Sequence, residues 1–339
     1  MKKLRKFGFI GTGAWGSALA NVLSSNGHKV MLYGVDLAEI NDINNGRNTK
    51  YFNSIKFSHQ ENVIATTSLK ELVDFANTFV LAVPSHAIKT VLKQLKDIIK
   101  YKHVDIINLS KGFEQNSELL FSEFVQKKFR SNLKNLASLV GPSYAIEVFQ
   151  HDLTVINIVG ENVEYLEDIA SYFNNSSFKL VASQKVNGCE LFAAAKNLLS
   201  IGLGISSYNN ESVNTHSALI TLGTQEIIKL YQVLYPTEFS HEVAFSYAGI
   251  GDIILTCSSN KSRNYSFGLL VAEIGINDAL AKNTSTVEGY ETAKTLNKLI
   301  KRNNVSVPFL QSIIDILLHN KKASYLTDFI ANSSKYENN

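Results

Sequence analysis

The chain has 339 residues and a mass of 37.6 kDa, with 33 lysines and arginines against 30 aspartates and glutamates, for a formal charge of +3. Hydrophobic residues make up 45% and charged residues 19%, a profile that excludes disorder and leaves ample material for two domains with buried cores. The scattered basic residues form no nucleic-acid stripe, and two cysteines, Cys189 and Cys257, with no CxxC pair leave neither a disulfide framework nor a metal site.

Residues 1–6 are basic and no charged residue follows before Lys29, so a secretory leader has to be weighed. Glycines at 11, 13 and 16 interrupt the stretch, unlike the Leu-, Val- and Ile-dense core of a leader, and the expectation is a cytoplasmic protein. No run approaches the roughly 18 apolar residues of a membrane span. Strands are expected at 6–10, 29–33, 62–65, 78–83, 104–109, 137–140 and 154–159, with helices between most of them. The helix expected at 15–25 ends at an Asn26-Gly27 turn, and that at 85–100 carries Ile88, Val91, Leu92, Leu95 and Ile99 at helical spacing. Beyond about residue 185 the strands give way to apolar helical segments at 186–203, 217–234, 287–302 and 309–319. The pattern predicts an α/β chain: an N-terminal Rossmann-type, doubly wound, mainly parallel sheet over 1–185, then an all-helical domain over 186–332 and a frayed tail at 333–339. His28, His86 and His216 are not at metal-ligand spacing and read as turn or surface residues.

Gly11-Thr12-Gly13-Ala14-Trp15-Gly16 lies between the first strand and the first helix. In that context Gly11 allows the tight turn, Gly13 the approach of a pyrophosphate, and Gly16 close packing of helix on strand, while the helix N-terminus offers free N–H groups. Asp36, 20 residues beyond Gly16 and just after the second strand, can accept hydrogen bonds from a ribose 2′-hydroxyl and would repel a 2′-phosphate. The cofactor expected is a nicotinamide dinucleotide, NAD(H) in preference to NADP(H); Arg47 or Lys50 folding back would reverse the preference.

Seven segments in order, GTGAWGSALA (11–20), VPSHAIKTVL (83–92), SKGFE (110–114), GPSYAIEV (141–148), AAAKN (193–197), GIGDIILTCSSNKSRNYSFG (249–268) and VEGY (287–290), resemble the bacterial NAD(P)-dependent glycerol-3-phosphate dehydrogenases. The resemblance implies a Rossmann domain followed by a helical domain. It also implies reversible reduction of dihydroxyacetone phosphate to sn-glycerol 3-phosphate, the backbone for phospholipid synthesis.

Lys196 interrupts an apolar helix among alanines and is read either as a buried proton donor or as a lysine snorkelling to the helix edge; the resemblance favours the donor. Lys111, after a strand's C-terminal end, stands where doubly wound sheets bind ligands; the resemblance implies contact with substrate and cofactor, against a plain loop lysine. Asp252 is read as a catalytic residue that holds Lys196 electrostatically and helps to order substrate hydroxyls, with capping of the next segment as an alternative that could coexist. Thr256, one turn on, could join it. Ser262, Arg263 and Asn264 resemble a phosphate clamp, with Arg263 able to make two parallel N–H bonds and also implied to touch the cofactor. By resemblance Gly141, Ser143 and Asn197 contact substrate, and Ala14, Trp15, Ala145 and Glu288 contact cofactor, with a packing role open for Trp15.

The chain departs from the family at Val35, where a basic residue is common, at Leu222, where arginine is common, and over 205–217, which lacks a glycine-rich run. A homodimer is therefore left open. Two other readings compete: a β-hydroxyacid-type dehydrogenase of similar architecture, which would not need the Asp252 and Ser262-Arg263-Asn264 set, and a dinucleotide sensor, which would need no proton donor.

Overall fold

Alternate residues of the central strands feed two separate cores. Phe7 and Phe9 of β1 (Lys6–Ile10) enter one, Ile10 the other; in β4 (Thr78–Leu81), Val80 joins the first and Phe79 and Leu81 the second. The structure, a computed structural model, describes residues 4–208, 212–258, 261–283 and 286–328, so the fraying expected at 333–339 falls outside the described residues. The chain forms two compact units, Met1–Val186 and Asn187–Asn339.

The first unit continues from β1 through α1 (Ala14–Ser25), β2 (Lys29–Tyr33), α2 (Leu37–Asn44), α3 (Thr49–Phe52), β3 (Val63–Thr66), α4 (Leu69–Phe75) and β4. It goes on through α5 (Ile88–Ile99), β5 (Val104–Asn108), α6 (Phe121–Phe129), β6 (Leu133–Val140), α7 (Ala145–Phe149), β7 (Thr154–Val159), α8 (Val163–Phe173) and β8 (Phe178–Ser183). The strand order is β3-β2-β1-β4-β5-β6-β7-β8, with all pairs parallel except β6 with β7. The order reverses direction between β1 and β4, the switch point at which such sheets leave a crevice beyond the strand ends.

At the opposite ends of the strands Arg5 pairs with Asp105 at 2.9 Å and Asp168 at 2.6 Å and donates to Thr78 at 2.9 Å, tying the starts of β4 and β5 to α8. His28 is not a surface residue: it is buried, its ring packs edge-on against Phe7 and Tyr172, and its Nδ1 faces the Arg5 N–H. His86 is exposed, whereas His216 is half-buried and bonds Ser207. The expected strands at 78–83 and 104–109 stop two and one residues short, at Leu81 and Asn108, where the chain turns into the loops at the ligand end. β8 was not expected, because Lys179 breaks up a short apolar run.

The second unit has helices and no strand among its described residues: α9 (Val186–Ser207), α10 (Val213–Leu234), α11 (Asp252–Cys257), α12 (Arg263–Ile274), α13 (Ile276–Lys282), α14 (Glu288–Asn303) and α15 (Pro308–His319). α9 is long and apolar enough to cross a membrane, but its apolar stretch lies wholly inside the fold, as expected of a core helix that is apolar all round. Residues 209–211 of the segment that departs from the family lie outside the described residues.

Candidate active site

The candidate residues fall into two groups, one within each unit. In the first, Gly11 has φ +123°, its N–H donates to Tyr33 O at 2.8 Å, and a Cβ there would stand 2.6 Å from Ala82 O. Only glycine makes this turn. A Cβ on Gly16 would meet Ala82 Cβ at 2.7 Å, so α1 can lie against the sheet only with hydrogen at that position. Gly13 differs: its Cβ would meet nothing nearer than Ala82 O at 3.9 Å. The space beside it is open toward the N-terminus of α1, which has no side-chain cap and no acid in its first turn. A pyrophosphate fits this arrangement, because the free N–H groups and the positive helix end face an anion that glycine lets approach.

Asp36 caps α2, its Oδ1 accepting the Ala38 N–H at 2.8 Å and the Glu39 N–H at 3.4 Å, and remains exposed. Lys50 does fold back toward the turn, onto Glu39, and Glu39 also accepts the Thr12 hydroxyl. Arg47 instead bridges to Lys56 through the backbone. Ala14 and Trp15 pack partly buried against the core, as does Ala145 at the start of α7.

Lys111 lies in the loop after β5, and its Nζ donates to Gly141 O at 3.2 Å; Ser143 Oγ donates to the same carbonyl at 3.2 Å. Gly141 has φ +150°, and a Cβ there would strike Ile156 at 2.7 Å. The loop is braced by buried Asn108, which donates to Ser110 O at 3.0 Å and accepts the Ser110 N–H at 3.1 Å. Sequence reading passed over Asn108; the signal was an amide ending an otherwise apolar strand.

In the second unit the centre is α9. Lys196 is 5% exposed and Asp252 1%, and Lys196 Nζ lies 2.9 Å from Asp252 Oδ1. Thr256 closes the cluster: its hydroxyl accepts from Lys196 and donates to Asp252 Oδ1 at 3.4 Å. A buried ammonium is tolerated when paired and hydrogen-bonded, and these two residues supply that. Asp252 therefore does not serve as a cap; it is the first residue of α11, aimed inward after an irregular turn at Tyr247–Gly251. A Cβ on Gly249 in that turn would stand 2.2 Å from Val243 O, so the chain can fold there only around glycine. Burial pushes the neighbouring Cys257 thiol up to about 12, which keeps it neutral and unreactive.

One turn along α9 from Lys196, Ser200 Oγ contacts Ser262 Oγ at 3.2 Å and donates to Thr256 O at 2.9 Å. Ser262 is buried and caps α12 by accepting the Tyr265 N–H. Arg263, first in α12, is exposed and makes no ion pair among the described residues. Asn264 is turned inward: its Nδ2 donates to Asn197 Oδ1 at 3.0 Å and its Oδ1 accepts the Gly289 N–H at 3.0 Å. Asn197 in turn donates to Glu288 Oε2 at 3.1 Å, linking α9, α12 and α14. Ser200 was missed by sequence reading, although its place four residues after Lys196 puts it on the same helix face.

The model described as the N-terminus of NAD-dependent glycerol-3-phosphate dehydrogenase matches residues 6–166, and the one described as its C-terminus matches 185–328. The chain is 39% identical over 311 residues to the glycerol-3-phosphate dehydrogenase, NAD(P)+, of Malacoplasma penetrans, covering 91% of this chain and 90% of that protein. It is 36% identical over 319 residues to the enzyme of the same name in Mesoplasma florum, covering 92% and 93%. The crystal structure of glycerol-3-phosphate dehydrogenase from Coxiella burnetii superposes with a TM-score of 0.86 at 26% identity, covering 96% of this chain and 99% of that one.

Proposed function

The chain belongs to the NAD-dependent glycerol-3-phosphate dehydrogenase family, and from that premise we propose that it reduces dihydroxyacetone phosphate reversibly to sn-glycerol 3-phosphate, using NADH in preference to NADPH. The product would supply the backbone for phospholipid synthesis. One observation supports the chemistry above the rest. A buried ammonium, Lys196, is held by Asp252 and Thr256, and Ser262, the residue before the exposed Arg263, contacts Ser200 of the same helix. A proton donor and a phosphate ligand on one rigid support are what reduction of a phosphorylated ketone asks of a protein.

When bound, the dinucleotide supplies the hydride; Gly11, Gly13, Ala14, Trp15 and Gly16 would hold its pyrophosphate end and Asp36 its ribose. Lys196 holds a proton at Nζ and delivers it to the carbonyl oxygen as negative charge develops there. Asp252 holds that ammonium in place, and Thr256 fixes its direction through the hydroxyl. Arg263 binds the phosphate through parallel N–H bonds, with the positive end of α12 behind it. The inward hydrogen bonds of Asn264 and Asn197 support a positioning role, holding Glu288 at the start of α14, for which the resemblance implies a cofactor contact. Lys111, Gly141, Ser143 and Ala145 keep the ligand contacts that the resemblance implies.

The test follows NADH absorbance with dihydroxyacetone phosphate against unphosphorylated dihydroxyacetone and 3-keto acids. Oxidation with the phosphate ester alone is expected, and its failure there overturns the reading. Turnover as efficient with NADPH as with NADH overturns the cofactor preference alone.

A further inference from the structure

Asp36 and Glu39 occupy the N-cap and third positions of α2. A glutamate at that third position commonly reaches back to the N-cap N–H. Glu39 turns elsewhere. One carboxylate oxygen accepts the hydroxyl of Thr12, between Gly11 and Gly13, and the other takes the ammonium of Lys50. The Glu39 side chain is 10% exposed, that of Lys50 57%. Thr12 in turn rests on the end of β2, since a Cβ on Gly34 would stand 2.6 Å from Thr12 Cγ2. A nearly buried carboxylate therefore lies where the glycine turn meets the end of β2, the place at which this kind of fold seats a dinucleotide's ribose. Asp36, whose carboxylate caps α2, is exposed and a step further out.

We propose that Glu39, with Lys50 tied to it, is the specificity element that rejects a 2′-phosphate. Glu39 repels that group, and by pairing with Lys50 it withholds a cation held one carboxylate away from Thr12 of the turn. Neutralising Glu39 removes the repulsion and frees Lys50 to make charge-assisted bonds to phosphate oxygens. This rests on the dinucleotide reading above and goes beyond it in naming the residues that choose between the two cofactors.

The test is calorimetric titration of the full chain with NADH and NADPH in the absence of substrate, so that no turnover is needed. Wild-type protein is expected to bind NADH more tightly. Glu39→Gln, which still accepts from Thr12, is expected to shift the ratio of the two dissociation constants toward NADPH by about tenfold or more. Lys50→Met, at an exposed position that folding tolerates, is expected to shift it the other way by leaving Glu39 unneutralised. The double variant is expected to lose most of the NADPH affinity that Glu39→Gln gained. An unchanged ratio in Glu39→Gln, or a shift toward NADPH in Lys50→Met, overturns the proposal while leaving NADH binding intact. Wild-type protein that binds neither nucleotide overturns the dinucleotide reading and the proposal together.

Discussion

Lys196 Nζ and Asp252 Oδ1 lie 2.9 Å apart, with their side chains 6% and 1% exposed, and Thr256 hydrogen-bonds both. Removing one member of such a pair strands a charge in the core and costs about 3–5 kcal/mol. Lys196→Met is therefore expected to lower stability by that order and turnover by roughly 10²–10⁴-fold, while NADH still binds the first unit. The double variant Lys196→Met with Asp252→Leu is expected to regain much of the stability and none of the turnover. Denaturant midpoints and single-turnover rates separate the two effects; a double variant that works would remove Lys196 from the chemistry.

Arg263 contrasts with this pair because it is exposed and serves no packing role in α12. Arg263→Ala is expected to leave stability within about 0.5 kcal/mol of wild type. A charge-assisted bond is worth about 1.5–3 kcal/mol, so KM for dihydroxyacetone phosphate should rise roughly 10–100-fold. Activity toward unphosphorylated dihydroxyacetone, already low, should not change. An unchanged KM for the phosphate ester would move the clamp elsewhere.

Much of the first unit could be read from the sequence because its strands are short buried runs bounded by glycine or charge. β1, β2 and β7 were expected at 6–10, 29–33 and 154–159, where they lie. β8 escaped because one face is wet and Lys179 interrupts it. His28 read as a turn residue because its partners, Arg5, Phe7 and Tyr172, come from the start of β1 and a distant helix. Lys196 stood out as a charge within an apolar helix, but no local rule links it to Asp252; the family motif carried that pairing. Glu39 lay outside the reading because periodicity does not tell which way a helix-start carboxylate turns.

Glu226 of α10 illustrates a long-range feature of the same kind. It is 1% exposed, and its two oxygens accept the N–H groups of Phe309 at 2.9 Å and Leu310 at 2.8 Å, in the first turn of α15. Those bonds favour the carboxylate, but burial outweighs them and pushes its pKa up to about 7 from an ordinary 4.5. Between these values the native chain keeps a proton that the unfolded chain has released. Glu226 therefore makes stability fall as pH rises through that window, by roughly 3 kcal/mol in all, and level off above it. Urea unfolding from pH 5 to pH 8 should show this fall, and Glu226→Gln should flatten it. A wild-type-to-variant difference that is the same at both ends would contradict the assignment.

Gly11 and Gly13, two residues apart, are expected to fail in opposite ways. Alanine at Gly11 must hold φ +123° with its Cβ 2.6 Å from Ala82 O, so it should cost at least about 1–3 kcal/mol and disturb the joint between β1 and β4. Gly13 has φ −63° and ψ 170°, a conformation alanine adopts freely, and its added methyl meets nothing in the protein closer than 3.9 Å. Gly13→Ala should keep the melting temperature of wild type. Its methyl would nonetheless stand in front of the α1 N-terminus, where a pyrophosphate has to approach, and NADH affinity should drop by about tenfold or more. Thermal melts and NADH titrations on the two variants check both halves. Tight NADH binding by Gly13→Ala would mean that the dinucleotide does not lie across this turn.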